Sequence, residues 1–215
     1  MALVTVDEKH EESSTSTLDA LWVLYDRVLR VDPTDPDDPR RDRFILSKGH
    51  GPAAYYAVLA AKGFFPESEL PGFLTWGSRL GSHPDRIQVP GVEASTGSLG
   101  HGLALGVGTA LAVRARSLTE VRVLVLCGDA ELNEGSNWEA ILLAPHLGLD
   151  NLTLLVIDNH SSSIAMGPWE DRIGSFGWDV AGANGHDHEA LASALSQRSL
   201  GCLNAVIADI PEGEW

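Results

Sequence analysis

Two polar pairs each close an apolar run. Gly128-Asp129 follows "VRVLVLC", and Asp158-Asn159 follows "LTLLVI", one helix-length later. An Asp carboxylate, an Asn carbonyl and a nearby backbone carbonyl are hard oxygen ligands, suited to Mg²⁺ or Ca²⁺ and not to zinc. Mg²⁺ held by so few protein groups completes its shell with phosphate oxygens and water. Gly128 has no side chain, so a diphosphate could approach its N–H. If the two runs are neighbouring strands, Asp129 and Asn159, thirty positions apart, reach one small object. Asp and Asn also end strands simply because they favour turns. Residue types alone leave both readings open.

The elements that must position these groups follow from periodicity. Leu18, Leu21, Trp22, Tyr25, Val28 and Leu29 recur at helical spacing, with Ser16 or Thr17 as the N-cap. "VDPTDPDDPRRDR" reads as a loop. "GPAAYYAVLAAKG" reads as a helix with Pro52 in its first turn and Gly63 past its end. Residues 64–97 are rich in Gly and Pro and lack periodicity; long irregular stretches of this kind are uncommon unless functional. "SLGHGLALGVGTALAVRARS" is a glycine-rich helix. Its Gly100, Gly102, Gly106 and Gly108 oppose helix formation, so close approach to another backbone or a ligand is the expected compensation. Strands are predicted at 121–127, 152–158 and in "CLNAVIAD", with helices at about 136–147 and 187–198. Continuous apolar strands separated by helices predict an α/β fold, a mostly parallel sheet covered on both faces. In such sheets ligands bind beyond the carboxyl ends of the strands. That is where both polar pairs fall.

Bulk properties narrow the classes. With 215 residues and 44% hydrophobic residues, the chain supports a single domain over 16–215, after a polar tail over 1–15. The formal net charge of −15, with no basic patch, argues against nucleic acid or anionic membrane as a partner. The acidic "DEKHEE" and "DPTDPDDP" read as solvated surface. Cys127 and Cys202 show no metal or disulfide pattern, and Cys127 reads as a small buried hydrophobe. No signal peptide or membrane span is visible, so a soluble, cytoplasmic protein is expected.

"GDAELNEGSNWEA" followed by "IDN" resembles the thiamine diphosphate motif, which opens Gly-Asp-Gly and closes on Asn about thirty residues later. "DRFILSKGHGPAAYYAVLAAKGFFP", "GSRLGSHPDRIQVPGVEASTGSLGHGLALGVGTALA" and "WEAILLAPHLGLDNL" resemble the N-terminal, diphosphate-binding part of transketolase. The likeness runs from about Leu18 to Asp209, and its nearest form is the N-terminal subunit of a split transketolase. The resemblance implies thiamine diphosphate and Mg²⁺ (or Ca²⁺) as cofactors. It implies Asp129, Asn159 and the backbone carbonyl of Ser161 as metal ligands, and His50 and the Gly128 backbone on the diphosphate. Gly97 and Leu99 would pack on the cofactor, His83 would lie near the donor's ketol oxygens, and Glu134 would join a carboxylate network between two active sites. His10, nine residues ahead of Asp19, matches a substrate-side His, but in "KHEE" in place of the family's Gly-His-Pro-Gly.

Two departures bear on the site. Ala130 replaces the third residue of Gly-Asp-Gly, where a methyl crowds the diphosphate or meets a backbone angle that favours Gly. His101 replaces the usual Gln of "GSLGQG", adding a titratable group near the cofactor. His160 borders the metal pair, and Asp187 in "GHDH" should cap the next helix. The resemblance further implies a partner: a C-terminal subunit carrying the pyrimidine-binding domain, joined as a heterotetramer of two plus two. The complex would move a two-carbon unit from a ketol donor to an aldehyde acceptor. Two alternatives stay open, a 1-deoxyxylulose-phosphate-synthase-like thiamine enzyme and a non-catalytic stabilising subunit.

Overall fold

Five strands pair in parallel, in the order β1-β2-β3-β5-β4. They are β1 (Arg43–Leu46), β2 (Val123–Gly128), β3 (Leu152–Asp158), β4 (Asp179–Asn184) and β5 (Asn204–Asp209). The computed structural model describes residues 11–197 and 201–211. Among the described residues six α-helices connect and cover the sheet: α1 (Glu11–Val23), α2 (Ala53–Ala61), α3 (His101–Ala115), α4 (Gly135–His146), α5 (Trp169–Gly174) and α6 (His188–Ser196).

The alternation of side chains along each strand divides the core into two layers. Phe44, Leu46, Leu124, Leu126, Leu155 and Ile157 pack with α1, α2 and α6. Ile45, Val123, Val125, Cys127, Leu154 and Val156 pack with α3, α4 and α5. β2 and β3 are buried on both faces, which explains their uninterrupted apolar sequence. Cys127 is fully buried, and burial pushes its thiol well above the ordinary range.

The glycines of α3 answer the expectation of close approach. A side-chain carbon at Gly102 would lie 2.7 Å from the Ser47 Cα, and one at Gly106 would collide with Val125 on β2. Gly108 has open space around it, so close approach does not account for it.

Several boundaries differ from the sequence prediction. Helix α1 begins at Glu11 and not after Ser16 or Thr17, so the chain is already helical over 11–15, and Ser14 is buried. Residues 1–10, and with them His10, lie outside the described residues. The first helix ends in a π turn over Leu24–Val28. Helix α3 starts at His101, because Gly100 precedes it in the left-handed region at φ +83°. β1, β4 and α5 are additional. β1 is only four residues long and adjoins an Asp/Arg-rich loop, and α5 has only six. β4 is an edge strand, half exposed and interrupted by Gly182, so it carries no apolar run. Asp187 caps α6 as expected, accepting from the N–H groups of Glu189 and Ala190. Among the described residues no helix is long and apolar enough to cross a membrane.

Candidate functional site

The pairing of β2 with β3 sets Gly128 opposite Ile157, so the two polar tips emerge side by side at the carboxyl edge. Asp129 and Asn159 are both buried. Ser161 joins them: its hydroxyl lies 2.7 Å from Asp129 Oδ1 and 2.7 Å from Asn159 Oδ1. The Ser162 N–H donates to Asp129 Oδ2 at 2.9 Å. Two buried side-chain oxygens from different strands thus converge on one point. Oxygen donors of this kind fit a hard divalent cation and, through it, a diphosphate. Ser161 takes part here through its hydroxyl, where the family resemblance implies its carbonyl.

Four further loops close on this edge. The turn after β1, Ser47 to His50, packs against Gly97, where a side-chain carbon at Gly49 would sit 2.7 Å from the Gly97 nitrogen. The rings of His50 and His83 meet edge to face, with centroids 5.1 Å apart. Gly97, at φ +141°, leaves the space that His83 fills; a carbon there would fall 2.5 Å from His83 Cδ2. The Tyr56 hydroxyl fixes the His83 segment by donating to its carbonyl at 2.9 Å. Leu99 is half-buried in the next turn, and His101 opens α3 exposed to solvent. Glu134 is exposed at the start of α4, beside Gly100.

In the Gly-Asp-Ala turn the Gly128 N–H donates to Glu131 Oε2 at 3.3 Å. Ala130 does not require a glycine-like angle. It begins a short 3-10 turn (Ala130–Asn133), and positive φ among non-glycine residues occurs only at Leu74, Ser117 and His160 among the described residues. His160, at φ +57°, turns its ring outward, with Nε2 3.1 Å from Asp209 Oδ1.

Three groups escape sequence reasoning. Glu131 is buried, and its Oε1 accepts from the Ser47 hydroxyl at 2.5 Å and the Gly100 N–H at 2.8 Å. Ser47 in turn accepts from the Gly102 N–H at 3.0 Å. One carboxyl therefore ties together the ends of β1 and β2 and the start of α3. Burial pushes its pKa up, against the lowering effect of these donors and of Lys48. Its one sequence signal is a carboxylate set between apolar residues in "DAELN". Lys48, in "SKGH", is also buried and lies against Gly128. Asp19 receives His186 Nδ1 at 2.7 Å and His188 Nε2 at 2.8 Å, clipping α1 to the loop before α6. No local pattern signals a contact across 167 positions. Burial also pushes Asp158 up, with Asp129 and Asp209 adding to the effect.

Comparison with known proteins agrees with the fold. Residues 3–201 match the family "Transketolase, thiamine diphosphate binding domain". The chain is 52% identical over 192 residues to "Ferredoxin fas2" of Rhodococcoides fascians, covering 89% of this chain and 63% of that protein. It is 39% identical over 213 residues to an apulose-4-phosphate transketolase subunit of Actinobacillus succinogenes, covering 95% of this chain and 76% of that one. It is also 39% identical over 195 residues to "6-deoxy-6-sulfo-D-fructose transketolase subunit SqwG" of a Clostridium species, covering 87% and 70%. The solved transketolase of Leishmania mexicana superposes with a TM-score of 0.80 at 29% identity, over 94% of this chain and 37% of that one.

Proposed function

This chain belongs to the family of transketolase thiamine diphosphate-binding domains, and from that premise we propose that it is the diphosphate-binding subunit of a split transketolase. The observation that carries the reading is the junction of Asp129 and Asn159 through Ser161 at the ends of two paired strands. Relatives that are themselves named as transketolase subunits support a division into two chains. The partner is a C-terminal subunit with a pyrimidine-binding domain, two copies of each chain forming the enzyme.

Thiamine diphosphate, when bound, supplies the carbanion chemistry by which a ketol is cleaved and a two-carbon unit passed to an aldehyde. Asp129 and Asn159 hold the divalent cation, with Ser161 beside them. His50 lies at the mouth of the same edge and meets the diphosphate. His83, held by Gly97 and Tyr56, hydrogen-bonds the donor's hydroxyls and holds a proton at its ring nitrogen during transfer. Leu99 packs on the cofactor, His101 places a titratable group near it, and Glu134 joins a carboxylate network between the two active sites. The family resemblance assigns His10, nine residues ahead of Asp19, to the substrate side.

The test is to co-express the chain with its partner, then titrate thiamine diphosphate with Mg²⁺ into the complex and into each chain on its own. Binding and ketol transfer by the complex are expected, with no turnover by this chain alone. Asp129→Ala should abolish Mg²⁺-dependent binding in the complex. Unchanged activity in that variant would make this chain a scaffold and sink the reading.

A further inference from the structure

Lys48 carries a buried charge that no salt bridge among the described residues engages. The residue is only 8% exposed. Its ammonium donates to the hydroxyls of Ser16 and Thr17, each at 3.2 Å. Among the described residues its contacts with carboxylates are electrostatic only, Asp129 and Glu131 acting on it without a salt bridge. An ammonium has three N–H bonds, and hydroxyls match two of them. Burying a cation in this way is costly unless a partner compensates.

The position of the group indicates what the partner is. The Lys48 side chain lies across Gly128, where a side-chain carbon would come 3.1 Å from Lys48 Cδ. Ser16 Oγ, which accepts from Lys48, also accepts from Asn159 Nδ2 at 3.3 Å. The ammonium is therefore joined through one hydroxyl to a residue of the oxygen cluster and sits behind the Gly128-Asp129 turn. Burial lowers its pKa to about 8, which leaves it largely charged at neutral pH. A phosphate oxygen arriving at this edge would be the acceptor that the ammonium lacks. A cation buried for packing alone would be better replaced by an apolar side chain of the same length.

We propose that Lys48 is a diphosphate-binding residue, contributing the buried positive charge against which the cofactor's anionic end is seated. The inference rests on the cofactor reading above and adds a residue to it. It predicts opposite effects on the free protein and on the bound one. Lys48→Met keeps the stem that packs on Gly128 and removes the charge. The free chain should then unfold at a higher temperature. The complex should bind thiamine diphosphate with Mg²⁺ roughly ten- to a hundredfold more weakly, the range expected for losing one charge-assisted hydrogen bond. The loss should be smaller for thiamine monophosphate, which presents less charge.

The measurement is calorimetric titration of thiamine diphosphate and of thiamine monophosphate, each with Mg²⁺, into complexes containing wild-type chain, Lys48→Met or Asp129→Ala. Thermal unfolding of the free chains accompanies it. Weaker diphosphate binding together with a more stable free chain supports the proposal. If Lys48→Met binds within twofold of wild type while Asp129→Ala does not bind, the Lys48 inference falls and the cofactor reading stands. A free Lys48→Met chain that is less stable than wild type makes the lysine structural and overturns the inference. Failure of the wild-type complex to bind removes both.

Discussion

Glu131→Ala tests whether one buried carboxyl holds the site together. The carboxyl accepts from the Ser47 hydroxyl at 2.5 Å, the Gly100 N–H at 2.8 Å and the Gly128 N–H at 3.3 Å. Alanine strands all three donors. An orphaned buried donor costs roughly 1–3 kcal/mol. Two effects work the other way. Water can enter the vacated polar space and meet some of the donors. The carboxyl, pushed up by burial, also no longer has to be desolvated. The net loss should be about 2–4 kcal/mol, a fall in melting temperature of roughly 5–15 °C for a chain of this size. The assay is thermal unfolding with amide hydrogen exchange. Protection should be lost first at Gly100, Gly102 and Gly128, the amides whose order depends on this junction. A melting temperature within about 1–2 °C of wild type would refute the reasoning. So would a loss of protection spread evenly over the sheet.

Four other outcomes are expected. Burial works to raise the Asp42 pKa, but hydrogen bonds from Arg30 and Arg122 overcome it and leave the pKa below 3.8. Stability from Asp42 is thus present above pH 3.8 and is lost as pH falls through the lower folded-state value, a slope that urea titrations of Asp42→Asn should lack. Asp42→Ala, by stranding two arginines, should cost about 3–5 kcal/mol in the same titrations. Lys48 gives the same sign of slope at higher pH: its folded pKa of about 8 lies below the ordinary 10.5, so stability of the free chain should rise between those pH values by roughly 3 kcal/mol as the buried charge is lost, and a flat profile would count against the burial of its charge. Gly97→Ala, at φ +141° and against His83, should cost about 1–3 kcal/mol and move the His83 ring resonances, which an unchanged NMR spectrum would contradict.

The parts of the site legible in the sequence are those that reside in one residue type at one kind of place. Asp129 and Asn159 could be paired because their strands are unbroken apolar runs, and strand ends are where a parallel sheet presents its ligands. Gly102 and Gly106 announced close packing because glycine in a helix needs compensation. Glu131 was hidden because its meaning lies in Ser47 and Gly100, on loops 84 and 31 positions away. The Gly128 N–H contact with Glu131 was hidden for the same reason, since no spacing reveals the direction of that side chain. β4 and β1 escaped because edge strands need neither length nor continuous apolarity.

β1 lies at one edge of the sheet, and its partner β2 begins some eighty residues later, Arg43 facing Val123. Between them run the segments that carry Lys48, His50, His83 and Gly97. The strands β2 to β5 can associate without β1, but β1 cannot dock until residue 123 has been synthesised. Docking β1 must close a long loop before any contact compensates the lost entropy, which places this step late and makes it slow. The reverse step is the natural route of partial opening: releasing β1 carries Ser47, Lys48 and His50 away together while β2 and β3 keep Asp129 and Asn159. A ligand gripped from both sides would act as a latch on the edge strand, its dissociation and the fraying of that edge being two views of one equilibrium.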